Sequence, residues 1–358
     1  MKQMFSSLHS LADRLAADAA LKADFVLPTS QVSMNDDATI STPAFEPTPA
    51  TNIAHGQIAT TLDIPRAYYD RMRDADPALL ARNVNGWISR RDPGERRMVR
   101  TNGTNVRAML SDRYQRIDNY EVADVTLAQL ERVPGLRVIS SAVTESRLYI
   151  KAVSTDLVLP VKGSRRVGDM VEAGVMIRNS EVGQGSVSIQ PFAHFLVCTN
   201  GMVREKGQLR AAHVGRRIDA SIEGLLSEGT KRMEDEVVLR KVRDVIANAF
   251  DAVSFRAFID SLSATTEQQI GGDVNAAVEA LGPTLGLSVG ERQSVLRHLI
   301  TGGDLSRYGL TNAVTRTAED VESYDRATEI ETLGYRLVDL PTREWQAIAY
   351  AKPLALTA

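Results

Sequence analysis

The chain has 358 residues, of which 43% are hydrophobic and 24% are charged, and this globular composition excludes disorder of the whole chain. Its length exceeds the usual size of one domain, so one large or two modest domains are expected. Residues 1–218 carry 28 basic and 23 acidic side chains, whereas residues 219–358 carry 14 and 22, so a polyanionic partner is expected to meet the first part.

Hydropathy and cysteine content indicate the compartment. No apolar run approaches the roughly 18 residues that a membrane-spanning helix needs. The N-terminal segment lacks a long apolar core and contains Asp13, Asp18 and Asp24, so it predicts neither a signal peptide nor a membrane anchor. Cys198 is the only cysteine, which excludes an intrachain disulfide and is typical of a reducing compartment. We therefore expect a soluble cytoplasmic protein without membrane contacts.

Helical periodicity dominates the first 90 residues. Apolar residues at helical spacing predict an amphipathic helix over residues 4–15. Prolines among small polar residues predict an extended connection over residues 35–56. Asp and Pro at positions 63–65 and 76–77 are typical helix starts, so they predict a helical hairpin that ends near Trp87.

From Trp87 onward a strand-like period replaces the helical one. Glycine-containing turns at 93–94 and 102–103 predict three antiparallel strands, here called the predicted meander. Another hairpin and two or three more strands are expected before residue 200, and a short returning strand is expected near the C-terminus. The expected strand segments are residues 87–91, 96–101, 105–110, 138–139, 148–153, 168–199 and 335–340.

After Gly215 the pattern becomes helical and acidic. The fold class is therefore predicted to be α+β, with an antiparallel sheet of five or more strands, flanking helices and a mostly helical C-terminal part. Three regions follow from this pattern. Residues 1–62 hold the N-terminal helix and extended segment, residues 63–215 hold the helical hairpin and β core, and residues 216–358 hold the helical region with its returning strand.

Four long blocks of the sequence carry a family resemblance. They are DIPRAYYDRMRDADPALLARNVNGWI (63–88), LSDRYQRIDNYEV (110–122), GVMIRNSEVGQGS with LVCTNGM (174–186 and 196–202), and YGLTNAVTRTAEDVESYDRATEIETLGYRLVDLPTREW (308–345). These blocks resemble the phage- and plasmid-associated family known as domain of unknown function 932, and together they extend over nearly the whole chain. The resemblance implies an origin in a mobile element. It implies no catalytic residues, because the family is named for its lack of an assigned activity.

The predicted meander is rich in arginine. Residues 81–116 contain nine arginines, and on alternating strands Arg96, Arg100 and several neighbours are expected to share a solvent-facing surface. Guanidinium groups with a nearby tyrosine would follow a phosphate backbone and stack bases. The alternative is a solvated face whose arginines are paired with carboxylates. The candidate nucleic-acid-binding residues are Arg90, Arg91, Arg96, Arg97, Arg100, Arg107, Arg113, Tyr114, Arg165, Arg166, Arg178, Lys206, Arg216 and Arg217.

Catalytic and metal-binding patterns are weak in this sequence. His194 and Cys198 lie within one expected strand, too far apart for direct proton transfer, and a buried core thiol is the commoner role of such a cysteine. The five histidines are scattered without metal-ligand spacing, and no glycine-rich phosphate loop occurs. We therefore predict a non-enzymatic protein with no cofactor, no metal and no catalytic residues.

The leading hypothesis is a phage- or plasmid-encoded nucleic-acid-binding protein, in particular a single-strand annealing or recombination accessory factor. An antiparallel sheet followed by a long helix is similar in outline to the annealing proteins related to eukaryotic Rad-fifty-two, which form rings and hold single-stranded DNA in a basic groove. We accordingly expect single-stranded DNA as the partner and a homo-oligomer that aligns the basic patches.

Two alternatives stay open. One is a protein-interaction factor, structural or anti-defence, that uses the acidic C-terminal half and binds no nucleic acid. Pairing of the arginines with carboxylates would favour it. The other is a metal-assisted nuclease, which would need converging carboxylates, and the sequence offers Glu172, Glu181, Glu319, Asp320, Glu322 and Glu329.

Overall fold

The computed structural model describes residues 3–5, 7–165, 169–197, 200–211 and 228–353. Its strands, in chain order, are β1 (Gln3–Phe5), β2 (Ala23–Pro28), β3 (Ser33–Met34), β4 (Ile40–Thr42), β5 (Phe45–Thr48), β6 (Arg96–Thr101), β7 (Val106–Ser111), β8 (Leu136–Val143), β9 (Leu148–Pro160), β10 (Met170–Asn179), β11 (Val187–Phe195), β12 (Gly201–Val203) and β13 (Leu209–Ala211).

The helices complete an α+β fold, as predicted. They are α1 (Leu8–Leu21), α2 (Asn52–Thr61), α3 (Arg66–Ala75), α4 (Pro77–Ile88), α5 (Asn119–Leu130), α6 (Glu228–Ala249), α7 (Ala252–Ala264), α8 (Val274–Leu285), α9 (Val289–Gly302), α10 (Arg307–Arg316), α11 (Tyr324–Val338) and α12 (Thr342–Ala349). The predictions of an antiparallel sheet of at least five strands and of a mostly helical C-terminal part are confirmed.

The main sheet is antiparallel and has seven described strands in the order β1-β8-β9-β10-β11-β12, with β13 also paired to β11. One face carries apolar side chains such as Ile150, Ile177 and Ile189, which pack against α1, α5 and α6. Because successive strand residues point to opposite faces, the intervening polar residues share the other face. Helix α11 contacts that polar face through an ion pair between Lys151 and Glu331.

Two smaller three-stranded sheets pack beside the main one. Strands β2-β6-β7 form the first, and β3-β4-β5 form the second. Together with α2, α3 and α4 they enclose one hydrophobic cluster that includes Leu27, Ile58, Tyr69, Leu80 and Val99. This cluster contains residues from both sides of the boundary expected at 62/63. The boundary expected at 215/216 lies outside the described residues.

The C-terminal helices enclose a separate hydrophobic cluster. Leu281, Leu299, Leu310, Ile330 and Trp345 are buried within it, one from each of α8, α9, α10, α11 and α12. Helix α11 belongs to this cluster on one side and faces the main sheet on the other. It therefore links the helical region to the polar face of the sheet.

Two predicted strands are wrong. Residues 87–91 lie at and beyond the end of α4, because Asp76 caps that helix and Leu80, Val84 and Ile88 bury one helical face. Residues 335–340 begin inside α11, where Leu333 and Leu337 continue a helical stripe into the C-terminal cluster. In both places a helix-length apolar period outweighs a short local alternation.

Two predicted boundaries also differ. The N-terminal helix begins at Leu8, because Ser7 forms a capping box with Ser10, and the residues before it form β1 along β8. The connection at residues 35–56 contains β4, β5 and the start of α2, which Thr51 caps by accepting a hydrogen bond from the backbone N–H of Ala54. The hairpins predicted at 138–153 and within 168–199 are confirmed by the pairing of β8 with β9 and of β10 with β11.

Removing a side chain from the apolar face tests the main core. Ile177 is fully buried, whereas Ile300 on α9 is 63% exposed. We expect Ile177→Ala to lower the free energy of unfolding by about 2–5 kcal/mol, and Ile300→Ala to change it by less than about 0.5 kcal/mol. Urea unfolding followed by circular dichroism measures both values. Equal effects of the two substitutions would contradict the assignment of this face as core.

Candidate functional site

The predicted basic surface begins with Arg100, and the structure buries it. The guanidinium group donates to both carboxylate oxygens of Asp24 at 2.8 and 3.0 Å and to Asp118 at 2.6 Å. It also donates to the backbone carbonyl of Glu181 at 2.8 Å. Arg100 is 0% exposed, so its expected place on a solvent-facing surface is wrong. Arg100 lies on the inward-facing side of β6. There the negative charges of Asp24 and Asp118 offset the cost of burying its positive charge.

Glu181 is the carboxylate at the centre of this network. It accepts hydrogen bonds from the ammonium group of Lys22 and the backbone N–H of Asn119, both at 2.6 Å, and it forms a buried ion pair with Arg107. Burial raises the pKa of Glu181, but the charges of Lys22 and Arg107 and the hydrogen bonds outweigh it and lower the pKa to about 2. Glu181 is therefore charged at neutral pH and holds two cations inside the protein.

The other arginines near β6 have partners as well. Arg91 and Arg97 both bind Glu95, with shortest N–O distances of 2.9 and 2.8 Å. Arg96 is exposed, and its guanidinium group donates to the backbone carbonyl of Val26 at 2.9 Å. Four arginines of the predicted meander, Arg91, Arg97, Arg100 and Arg107, are thus paired with carboxylates.

Arg90 makes a different contact. Its guanidinium carbon lies 5.2 Å from the ring centroid of Trp87, a tryptophan that is 46% exposed at the end of α4. An arginine over an exposed indole is an arrangement found at binding surfaces. Arg113 is exposed on the connection that follows β7.

The remaining predicted residues are dispersed. Tyr114 is buried, and its hydroxyl donates to the carbonyl of Ser180 at 2.8 Å. Arg165 is exposed and approaches the side-chain oxygen of Gln269 at 3.5 Å, and Lys206 is exposed in the turn between β12 and β13. Arg166, Arg216 and Arg217 lie outside the described residues. The predicted residues that the structure describes are therefore not assembled into one surface.

A different group of arginines converges on the polar face of the main sheet. In the strand register, Arg178 on β10 lies directly opposite Tyr149 on β9 and opposite Ser188 on β11, and Ser188 lies opposite Arg210 on β13. Arg178 and Arg210 are therefore two strand spacings apart, about 10 Å between Cα atoms, on the same face. Arg147 approaches from the start of β9. We call Arg147, Arg178 and Arg210 the arginine row.

Arg178, the central member, is half-buried. Its guanidinium group donates to the side-chain oxygen of Gln190, a neutral partner. Burial lowers the pKa of Arg178, and the nearby charges of Arg210 and Arg147 lower it further, whereas Tyr149 and Glu329 act in the opposite direction. The lowered pKa of Arg178 arises because its cation is poorly solvated and lies near two other cations.

Arg147 has only a shared acidic partner. Its guanidinium group lies 3.7 Å from a carboxylate oxygen of Asp325, which is also engaged by the hydroxyl of Tyr149 at 2.6 Å. Its Nε donates to the backbone carbonyl of Gln184 at 3.0 Å. The carboxylate of Asp325 thus interacts with several donors.

Arg210 is half-exposed, and its acidic partner is shared too. It lies 3.9 Å from Glu205. The carboxylate of Glu205 is already bound by both the Nε and an Nη of Arg336, each at 3.0 Å. The charge of Arg210 is therefore only weakly compensated.

Two buried hydroxyls add to the polarity of this face. The Oγ of Ser188, between Arg178 and Arg210, has no hydrogen-bond partner within the described part of the chain. The same holds for the Oγ1 of Thr328. Helical spacing places Thr328 with Tyr324 and Glu331 on the side of α11 that meets the sheet. Buried hydroxyls normally have hydrogen-bond partners, so these two are exceptions within the described part of the chain.

The carboxylates proposed for a nuclease do not converge. Glu172 binds His194 at 3.0 Å and also pairs with Arg137. Glu181 belongs to the buried network, and Asp320 accepts from His298 at 2.7 Å. Among the described residues no group of three or more His, Cys, Asp or Glu side chains could hold a metal ion. Cys198 lies outside those residues, so its pairing with His194 is not tested.

Comparison with known proteins does not add a relative. No family model matches the chain, and searches of curated proteins and solved structures gave no match. The resemblance to domain of unknown function 932 therefore stays a prediction. In the part of the chain that the structure describes, no helix has both the length and the apolarity to cross a bilayer.

Sequence reasoning identified Arg178 but missed Arg147, and it did not align Arg178 with Arg210. A usable signal was the alternation around Ser188, because Val187 and Ile189 point to the core and so place Ser188 on the polar face. The same alternation places Arg178 beside Ile177 and Arg210 beside Leu209. The strand pairing that aligns these residues is not visible from one sequence.

Neutralising Glu181 tests the buried network. Glu181→Gln leaves Lys22 and Arg107 buried with a neutral partner, so we expect it to lower the free energy of unfolding by about 3–5 kcal/mol at pH 7. Glu236→Gln, which removes an exposed pair with Arg240, should leave the urea midpoint nearly unchanged. A midpoint for Glu181→Gln that equals that of the control would contradict the assigned role.

The pH dependence gives a second test of Glu181. Its pKa is lower in the folded state, so its contribution is fully present above the unfolded value near 4.5 and is lost as the pH falls toward about 2. We expect the difference in unfolding free energy between the unsubstituted protein and Glu181→Gln to shrink between pH 5 and pH 2. Urea titrations at several pH values measure it, and a constant difference would contradict the assignment.

Proposed function

We propose that the chain is a nucleic-acid-binding protein that contacts the sugar–phosphate backbone through the arginine row. One observation carries this proposal: Arg147, Arg178 and Arg210 converge at one end of the polar sheet face with only neutral or shared partners. Guanidinium groups are strong donors to phosphate oxygens.

Electrostatics supports an anion at this position. Three cations close together repel one another, and burial deprives Arg178 of part of its hydration. A bound phosphate would replace that lost solvation and compensate the mutual repulsion. The planar fork of arginine suits phosphate recognition better than a point charge does.

We therefore assign the proposed contact with the nucleic-acid backbone to the main sheet instead of the predicted meander. Arg91, Arg97, Arg100 and Arg107 are engaged by carboxylates, so binding a polyanion there would require breaking those pairs. Breaking the buried pairs of Arg100 and Arg107 would be especially costly. At the arginine row only the longer, shared pairs of Arg147 with Asp325 and of Arg210 with Glu205 would be disturbed.

A second candidate is a protein-interaction factor without nucleic acid. The carboxylate pairing in the meander favours it, as does the exposed Trp87 with Arg90 above its ring. Tryptophan and arginine are the residue types most enriched at the energetic centres of protein interfaces. The acidic C-terminal half would supply further contacts. Neither candidate assigns an enzymatic activity.

The proposal retains a phage or plasmid origin, a cytoplasmic location and a homo-oligomer, with an annealing or recombination role. Its support is the four sequence blocks and their arrangement. Asn119 in the second block donates to Glu181 in the third, and Asp325 in the fourth accepts from Tyr149 on the central strand β9. The second and third blocks thus meet in a buried polar contact.

Removing the arginine row should weaken binding and reduce its salt dependence. We expect the double variant Arg178→Ala/Arg210→Ala to bind a fluorescent single-stranded 40-mer at least about tenfold more weakly at low salt. The slope of log K against log salt should fall by about 0.7 for each arginine removed. Fluorescence anisotropy at several salt concentrations measures both quantities.

Arg71→Ala/Arg82→Ala, which removes two exposed arginines from α3 and α4, is the matched control for net charge. It should leave the affinity and the slope almost unchanged. An unchanged slope in the double variant would exclude the arginine row as the backbone site. Absence of binding by the unsubstituted protein, to single or double strands at low salt, would favour the protein-interaction function.

A further inference from the structure

An open groove of about 700 Å³ lies between α2, the end of β7 and the connection at residues 183–185. Its floor is apolar and includes Ile53, Ile64 and Leu110. No member of the arginine row is among the residues that line this groove. The groove is a separate concave site that the backbone contact proposed above does not use.

Neutral polar groups surround the apolar floor. Asn52, Thr60, Ser111 and Gln184 line the walls, and Arg66 lies at one end. None of the described residues that line the groove is acidic. A nucleobase has an apolar face and a hydrogen-bonding edge, and this combination of floor and walls matches it. A negatively charged wall, which would repel a nucleic acid, is not present among these lining residues.

The groove is preformed by a bridging amide. The side-chain oxygen of Gln57 accepts from the backbone N–H of Met109 at 2.8 Å, and its nitrogen donates to the carbonyl of Val182 at 2.7 Å. Gln57 therefore fixes the separation between β7 and the 183–185 connection. A preformed groove binds its ligand without a large ordering cost.

Gly183 keeps one wall close to the floor. Its φ of +72° lies in the left-handed region that favours glycine. A Cβ at this position would lie 2.6 Å from a methyl carbon of Leu110. The backbone of the 183–185 connection can therefore approach the groove floor only without a side chain here.

The groove adjoins the arginine row through one connection. Gln184 lines the groove, and its backbone carbonyl accepts from the Nε of Arg147 at 3.0 Å. If the phosphates of a single nucleic-acid strand lie at the arginine row, a neighbouring base of that strand would therefore lie beside the groove. This continuity between a cationic row and a neutral concave site argues for one extended ligand.

We propose that the groove binds an unpaired nucleobase of a single strand whose backbone is held by the arginine row. This inference rests on the proposed nucleic-acid binding and adds the reason for preferring single strands. Bases in a duplex are paired and stacked, so they do not enter such a groove without being extruded. Apolar contact with the floor then supplies affinity that phosphates alone do not give.

A pair of oligonucleotides that differ only in their bases tests the groove. One is a fluorescent single-stranded 20-mer of thymidines, and the other has abasic tetrahydrofuran residues with the same phosphates. We expect the protein to bind the thymidine strand at least tenfold more tightly. Thr60→Trp, which places a large ring at the groove wall, should reduce this ratio to about one and leave the abasic affinity unchanged.

Thr284→Trp is the matched control. Thr60 and Thr284 are both exposed helical threonines whose hydroxyls donate to the carbonyl four residues earlier, Gly56 and Ala280 respectively. Substitution of Thr284 on α8 should leave the ratio of affinities as it is in the unsubstituted protein. Photo-cross-linking of a 5-iododeoxyuridine strand to the unsubstituted protein should map to residues 109–111.

The outcomes separate the two proposals. Equal affinity for both strands, with salt dependence intact, would overturn the base groove and leave the backbone site standing. A base preference that persists in Thr60→Trp, with cross-links elsewhere, would also overturn the groove. Binding of neither strand would overturn both the proposed function and this inference.

Discussion

The buried charge of Glu181 is the constraint on which the assembly of this protein depends. The carboxylate lies in the connection after β10, yet its partners come from the end of α1, from β7 and from the start of α5. A buried charge that loses its partners is strongly unfavourable, so these elements cannot separate independently. The network therefore holds the small β2-β6-β7 sheet, α1 and α5 to the main sheet.

The same network explains why a count of charges misrepresents the surface. Arg100 and Arg107 contribute to the excess of positive charge in the first part of the chain, but both are buried beside carboxylates. Arg91 and Arg97 share Glu95. The field that a polyanion would experience depends on cations whose partners are neutral or divided. The arginine row on the main sheet holds three such cations close together.

The two faces of the main sheet differ: one packs into the core, and the other carries the proposed binding residues. Ile150 and Ile177 alternate with Tyr149 and Arg178, so one face forms the core while the other remains polar. Helix α11 covers part of the polar face through the pair between Lys151 and Glu331. The arginine row and the adjoining groove lie at the end of the sheet reached by Arg147.

The sequence by itself determined the fold class, the helical hairpin and the hairpins β6–β7, β8–β9 and β10–β11, because periodicity and turn or capping residues act over a few positions. It did not determine the helical state of residues 335–338, which depends on packing into the C-terminal cluster. Nor did it determine which arginines are neutralised. Arg100 meets Asp24 from 76 residues away, and Arg107 meets Glu181 from 74 residues away. Only the tertiary structure decides such pairings, because the burial and proximity that control charge arise when distant strands align.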